Sequence, residues 1–194
     1  MHHSRISAFL LGAWLLGSLF QAFVATRNFK AVDAVLQAPP PKASKMIQKL
    51  GNDDARQLLR YLAGEENRGY FESWEIAQLA LGTLLTAFLL FGVEKRLLAG
   101  LAGAMLVLTL FQYLKITPDL VWLGRSIAFA PASAEAHARA QFGKLHGIYG
   151  AIEILKMLLA VTIAGLLFPM RRRRLTKRVE IDPVDYADHR HVNG

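Results

Sequence analysis

The chain has 194 residues, 53% of them hydrophobic, and its mean hydropathy is +0.27. Soluble domains of this length are rarely so apolar, so the composition favours a small integral membrane protein. Because there is no cysteine, disulfides, thiolate metal sites and cysteine nucleophiles are excluded. The net charge of +8 would suit a nucleic-acid-binding protein, but much of it lies in RRRRLTKR, directly after an apolar segment. This placement predicts a membrane surface with anionic lipids as the partner, and no nucleic acid.

Four apolar segments are long enough to cross a membrane, which takes about 20 residues at a rise of about 1.5 Å each. They predict helices at about 6–26, 74–93, 97–114 and 146–170. The first could also be a cleaved signal peptide, but its apolar run exceeds the usual core of about 7–15 residues, which favours a retained helix. The sequence therefore predicts an all-α integral membrane four-helix bundle at 1–170 and a basic cytoplasmic tail at 171–194.

The connection at 27–73 is predicted to be an extracytoplasmic loop made of helices. RNFKAVDAVLQ prolongs the first helix until a proline triplet at 39–41 stops it. KASKMIQKLG is an amphipathic helix ending at Gly51, and Asn52 or Asp53 would cap the next one.

The connection at 115–145 is the second predicted outer loop. Pro131 and Ser133 are typical of a helix start. We therefore expect the fourth helix to begin there, outside the membrane, and to run unbroken to Phe168.

Basic residues in short segments near membrane helices stay on the cytoplasmic side. Arg5, Lys95 and Arg96 fall on one side of a four-pass chain, together with the arginine run after the fourth helix. Both termini are therefore predicted to face the cytoplasm, most simply across a bacterial inner membrane. The predicted lipid anchor consists of Arg171, Arg172, Arg173 and Arg174.

The fourth helix carries a polar stripe. At about 100° per residue, one face combines Arg139, Phe142, His146, Tyr149, Gly150, Glu153, Met157 and Ala160, with Lys156 at its edge. A charge in the middle of a membrane helix costs about 2.5–3.5 kcal/mol, so the stripe is expected to face protein or a wet cavity. The residues of the other helices that could meet it are Gln21, Glu75, Gln78, Gln112 and Tyr113.

Two interpretations of the stripe stay open. Glu153 and Lys156 could form a structural ion pair that fixes helix packing, with His146 as a hydrogen-bonding residue at the interface. Alternatively, the stripe belongs to a polar pocket that opens outward. The predicted ligand-binding and proton-sensitive residues are then His146, Tyr149, Glu153, Lys156, Gln112 and Gln78.

Metal and haem sites have little support. Copper would need ligands from several segments, and only His146, Met105 and Met157 are candidates near the membrane. His137 lies roughly 13 Å from His146 along the helix and cannot share an iron with it. No cofactor is predicted, although haem or copper at His146 stays an alternative.

The stretch RYLAGEENRGYFESWE, residues 60–75, mixes charged and aromatic side chains. One interpretation is a lid or docking surface over the pocket. The other is an aromatic belt at the membrane interface with solvated ion pairs.

The segment RAQFGKLHGIYGAIEILKMLLA contains the pattern RxxFxxLHG, from Arg139 to Gly147. It resembles the last-helix region of a family of small four-helix membrane proteins that includes transmembrane protein two-hundred-and-five and bacterial relatives. That family is grouped loosely with copper-resistance-D-like membrane proteins. The resemblance implies an all-helical bundle and directs attention to His146, and it supplies no reaction. Neither Glu153 nor Lys156 belongs to the shared pattern.

The expected function is non-enzymatic: binding or transport of a small polar or ionic ligand through the outward-facing pocket. The alternatives are a structural or accessory subunit that buries the stripe against a membrane protein partner, and a haem- or metal-dependent oxidoreductase that uses His146.

Overall fold

The structure, a computed structural model, describes residues 2–92, 96–130 and 136–179, with side chains described up to 167. The elements, in chain order, are α1 (His2–Gln37), α2 (Pro41–Leu50), α3 (Asn52–Gly92), α4 (Arg96–Phe111), a π-helical turn (Gln112–Ile116), α5 (Thr117–Ser126) and α6 (Ala136–Val179). Every regular element in these ranges is helical, which confirms the all-α prediction. Four helical stretches are long and apolar enough to cross a membrane: α1, α3, α6 and the continuous stretch Arg96–Ser126.

The four long stretches alternate in direction and form a closed ring. α1 packs against α3, α3 against α4, α4 against α6, and α6 against α1. The start of α1, the end of α3, the start of α4 and the end of α6 lie at one end of the bundle, called here the terminal end. The opposite end, called the loop end, holds α2, the end of α5 and the start of α6.

The terminal half of the bundle is filled by buried apolar side chains. This cluster, called here the apolar plug, consists of Leu10, Leu11, Trp14, Leu85, Leu89, Leu98, Ala99, Ala102, Met105, Ala160, Ile163 and Leu167. All four long stretches contribute to it, so its burial holds the ring together.

Glycines let two tryptophan rings approach neighbouring helices. A methyl group at Gly17 would overlap the ring of Trp74. A methyl group at Gly82 would lie 3.2 Å from the ring of Trp14. These glycines therefore set the spacing between α1 and α3.

The helices extend further than the apolar segments predicted from the sequence. α1 ends at Gln37 and α2 ends before Gly51, whose φ of 90° is the left-handed conformation that glycine adopts readily. The predicted loop helix and the second membrane helix are one 41-residue helix, α3. Because no proline interrupts it, the backbone hydrogen bonds continue beyond the apolar part.

α6 also exceeds its prediction, since it continues past Phe168 to Val179. The predicted start at Pro131 and Ser133 lies outside the described residues. So do the side chains of the arginine run, and the lipid anchor stays a prediction.

The sequence predicted that the third membrane helix ends at 114, whereas α4 passes through a π-helical turn into α5. Pro118 follows this turn. A proline has no N–H to donate, and its ring crowds the carbonyl four residues earlier. A widened turn relieves this crowding and lets the helix continue.

Candidate ligand-binding cavity

A cavity of about 1100 Å³ occupies the loop-end half of the bundle. It is walled by α1 between Ser18 and Asp33, by α3 between Asp53 and Trp74, by α5 and the turn after it, and by α6 between Arg139 and Met157. Seven of the eight stripe residues, all except Ala160, line it. The stripe therefore faces the cavity, with Arg139 and His146 in its exposed, loop-end part.

The cavity closes toward the terminal end. Glu153 lies 14 residues from Arg139 at one end of the lining and 14 residues from Leu167 in the plug, about 21 Å of helix in each direction. No residue of the apolar plug is among those that line the cavity. The cavity therefore enters from the loop end and stops at Met157, one turn beyond Glu153 and near the middle of the bundle.

Lys156 lies directly beneath Glu153 and is fully buried, with 0% exposure. Its Nζ lies 2.6 Å from Glu153 Oε1. It also donates to Gln78 Oε1 at 2.6 Å and to Thr109 Oγ1 at 3.3 Å. On the plug side it lies 5.9 Å from the centre of the Trp14 ring. The ammonium is thus surrounded by acceptors on one side and an aromatic face on the other.

Gln78 connects three helices through this ion pair. Besides accepting from Lys156, its Nε2 donates to Ser18 Oγ on α1 and to Glu153 Oε2 on α6, each at 3.3 Å. We call Ser18, Gln78, Glu153 and Lys156 the polar floor. Because the side chain of Glu153 is 17% exposed, it is the charged group of the floor that the cavity reaches.

A second buried polar group lies behind the cavity wall. Glu75 is fully buried, and its Oε1 accepts a 2.6 Å hydrogen bond from Thr117 at the start of α5. Gln112, in the π-helical turn, donates to the backbone oxygen of Tyr149 at 3.2 Å. The Tyr149 hydroxyl lies near Glu75. In the described part of the chain, however, that hydroxyl and Glu75 Oε2 both lack a hydrogen-bond partner.

His146 lines the cavity above the floor. Its ring stacks on Phe142, with the centroids 6.0 Å apart. Seven residues, about 10 Å of helix, separate it from Glu153. The predicted binding residues therefore divide into two groups: His146, Tyr149 and Glu153 line the cavity, whereas Gln78, Gln112 and Lys156 lie behind it.

Two of the residues expected to meet the stripe, Gln21 and Tyr113, line different cavities. Gln21 lines the cavity. The expectation for Tyr113 is wrong, because it lines a separate cavity of about 920 Å³ with Glu72 and Trp122. Adjacent residues of a helix point about 100° apart, and Gln112, the neighbour of Tyr113, is the one that faces α6.

The stretch 60–75 forms one wall of the cavity as part of the continuous helix α3. Arg68 pairs with Glu65 at 2.9 Å, and Arg125 of α5 pairs with the same carboxylate through two hydrogen bonds of 2.8 and 3.0 Å. Arg60 lies 3.6 Å from Asp33 of α1. The contacts with Arg125 and Asp33 join the stretch to α5 and α1, while the Arg68–Glu65 pair lies within it.

Above the floor the lining is strongly basic. We call Lys30, Arg56, Arg60, Arg68 and Arg139 the basic rim; the acidic side chains that line the cavity at this level are Asp33 and Asp53. Arg139 is held by hydrogen bonds to the backbone oxygens of Ile127 and Ala130, at 3.1 and 2.9 Å. Sequence inspection missed the rim because its residues come from three helices.

The residues considered for a copper site lie too far apart to bind one ion. His146 and Met157 are 11 residues, about 16 Å, apart on α6, and Met105 lies in the apolar plug. Among residues 2–92, 96–130 and 136–179, no group of three or more His, Cys, Asp or Glu side chains could hold a metal ion.

Comparisons with protein-family models, with curated proteins and with solved structures give no match for this chain. The site must therefore be interpreted from its own geometry.

Proposed function

We propose that this protein is a non-enzymatic multi-pass membrane protein that binds a small polar or ionic ligand in the loop-end cavity. The observation that supports this function most is a large cavity that ends on a buried ion pair. Following the positions of Lys and Arg, the membrane is a bacterial inner membrane, with both termini in the cytoplasm and the cavity open to the outside.

The polar floor suits recognition of such a ligand. Glu153 meets the cavity, while Lys156 beneath it holds the carboxylate in place from the side that the cavity does not reach. A ligand on Glu153 therefore meets a positioned charge whose counter-charge needs no rearrangement. Since the apolar plug closes the other end, binding fits the geometry better than passage through the bundle.

Cysteine accessibility tests the cavity and its orientation, and the natural absence of cysteine leaves no background. In membranes, Gln21→Cys and Gly150→Cys in the cavity should react with a membrane-impermeant thiol reagent added from the outside only. Leu19→Cys, on the exposed face of α1, and Ile163→Cys, in the plug, are the controls that should stay unlabelled. Labelling of the cavity positions from the cytoplasmic side, or no labelling at all, would contradict the proposal.

Native mass spectrometry of the protein in mild detergent tests for the ligand itself. We expect a bound small molecule in the unaltered protein and a changed occupancy in Glu153→Gln, because that variant alters the charge at the end of the cavity. Glu66→Gln, which changes an exposed carboxylate outside the cavity lining, should retain it. Equal occupancy in both variants would show that Glu153 does not recognise the ligand.

The two alternatives have their own tests. A subunit that buries the stripe should co-purify with a fixed membrane partner; the contacts of Gln78 with Glu153 and Lys156 show that much of the stripe is already met within the chain. A haem protein that uses His146 should show a Soret band with redox-sensitive α and β bands. Membership of the family of transmembrane protein two-hundred-and-five stays a proposal, supported by the RxxFxxLHG pattern alone.

A further inference from the structure

Unpartnered hydrogen-bond donors surround the cavity. Four lining residues each have a buried N–H or O–H group without a partner in the described structure: Gln21 Nε2, Arg68 Nε, Trp74 Nε1 and Tyr149 Oη. We call them the donor set. The unpartnered acceptors Glu75 Oε2 and Gln112 Oε1 belong to residues that do not line the cavity, and Glu153 Oε1, which belongs to a lining residue, lies 2.6 Å from the Lys156 ammonium. Buried donors are normally satisfied, so the cavity suits a ligand that presents acceptor oxygens.

Three members of the donor set lie at one level. Gln21, Trp74 and Tyr149 each lie three or four residues, one helical turn, toward the loop end from Ser18, Gln78 and Glu153. Since the last three are joined by hydrogen bonds in the polar floor, Gln21, Trp74 and Tyr149 lie one turn above it on α1, α3 and α6. Tyr149 is only 6% exposed, so its hydroxyl has little access to water.

The charge of the cavity points to an anion. Five basic side chains of the rim face two acidic ones, Asp33 and Asp53, and Glu153 is already paired with Lys156. Arg60 is paired with Asp33, whereas Lys30, Arg56 and Arg139 have no carboxylate partner among the described residues. A rim of this kind attracts an anionic group and guides it toward the donors below.

The cavity wall is least connected between α1 and α6. At the level of the cavity no hydrogen bond, ion pair or ring contact joins these helices directly in the part of the chain that the structure describes; Lys156 and Trp14 meet below it. Ile154 lines the cavity although it is 57% exposed, so the cavity reaches the outer surface of α6 within its apolar segment. Near this gap the lining is apolar, with Ala22 on α1 and Met157 on α6.

We propose that the ligand is an anionic amphiphile of the bilayer, a single acyl chain with a carboxylate or phosphate head, which enters between α1 and α6. The inference rests on the proposed function and specifies its ligand class. The head group accepts hydrogen bonds from the donor set, and the chain leaves through the gap past Ile154 into the hydrocarbon. The basic rim supplies the positive potential that favours an anion over a neutral head group.

Trp74 is a built-in reporter of this site. With Trp14→Phe and Trp122→Phe, it becomes the one tryptophan of the chain, which has three. In phosphatidylcholine vesicles, a fatty acid with a brominated chain should quench Trp74 saturably, because bromine quenches tryptophan on contact. The brominated alcohol of the same chain should need at least about ten times the concentration. Unlabelled fatty acid should reverse the quenching, and acetate or inorganic phosphate should not.

A second reporter separates the site from the bulk bilayer. Trp122 is 70% exposed and lies outside this cavity. In a protein that retains Trp122 alone, acid and alcohol should quench equally and without saturation. Equal, unsaturated quenching of Trp74 by both probes would overturn the proposal, and reversal by inorganic phosphate would assign the site to a free anion instead.

Tyrosine variants test the donor set without altering charge. Tyr149→Phe removes one donor and should raise the half-saturating concentration of the brominated acid about tenfold. Tyr70→Phe, an exposed tyrosine bonded to Glu66, should leave it unchanged. Equal values for the two variants would refute the role of the donor set. If Trp74 is not quenched while a bound mass and cysteine labelling persist, the proposed function stands and the amphiphile does not.

Discussion

Replacement of Lys156 and replacement of Glu153 should lower the free energy of unfolding by different amounts, because both residues belong to the polar floor. Lys156→Met keeps an unbranched side chain of similar volume but removes the 2.6 Å contacts with Glu153 and Gln78. Glu153→Gln keeps the shape and leaves the ammonium of Lys156 with Gln78 and Thr109 as neutral partners. Each single variant thus leaves one buried charge without its counter-charge.

Breaking a buried ion pair costs about 3–5 kcal/mol. For Lys156→Met we expect about 3 kcal/mol, since Glu153 reaches the cavity and water there offsets part of the loss. For Glu153→Gln we expect about 5 kcal/mol, because Lys156 is fully buried. The double variant lacks both charges and should be more stable than Glu153→Gln alone by about 2 kcal/mol.

Equilibrium unfolding in mixed micelles, titrated with dodecyl sulfate and followed by circular dichroism, measures these free energies. Lys144→Met removes an exposed lysine of the same helix and should change stability by less than about 0.5 kcal/mol. Additive single effects in the double variant, or a cost of Lys156→Met no larger than that of Lys144→Met, would show that the ion pair does not stabilise the bundle.

Three further predictions use the same titration. Gln78→Leu should cost about 3 kcal/mol, because it removes the amide that connects α1, α3 and α6; a cost below about 1 kcal/mol would deny Gln78 that role. Gly17→Ala should cost about 1–3 kcal/mol through overlap with a tryptophan ring, whereas Gly12→Ala, with nothing within 4 Å, should stabilise the helix by up to about 1 kcal/mol; equal effects would contradict this packing. A double-mutant cycle on Glu65 and Arg125 should give a coupling below about 1 kcal/mol that weakens with salt, because Arg125 is exposed; a salt-independent coupling would indicate a dry contact.

The membrane bundle could be predicted because its signal is large: four apolar runs leave few alternatives to four helices. The bounds of the helices could not be predicted from hydropathy. Hydropathy changes where lipid ends, whereas a helical backbone satisfies its own hydrogen bonds in water as well. α3 accordingly continues through a charged stretch in which hydropathy gives no sign of helix.

Part of the candidate site was equally predictable, since Glu153 and Lys156 in an apolar segment require partners. The hydroxyl groups that contact this ion pair could not be predicted from the sequence. Thr109 can satisfy its hydroxyl on the backbone of Met105, so its sequence context gives no hint that it also accepts from Lys156. The donor set is likewise invisible in sequence, because whether a donor finds a partner depends on how the helices pack.

The π-helical turn at Gln112–Ile116 makes the length of this segment part of the fold. Loss of a single residue there would restore a regular α-helix and turn all that follows by about 100°. Thr117 would then leave Glu75, whose carboxylate has no other hydrogen-bond partner in the described structure. Among homologous chains, we expect this insertion and the acid at position 75 to be gained and lost together.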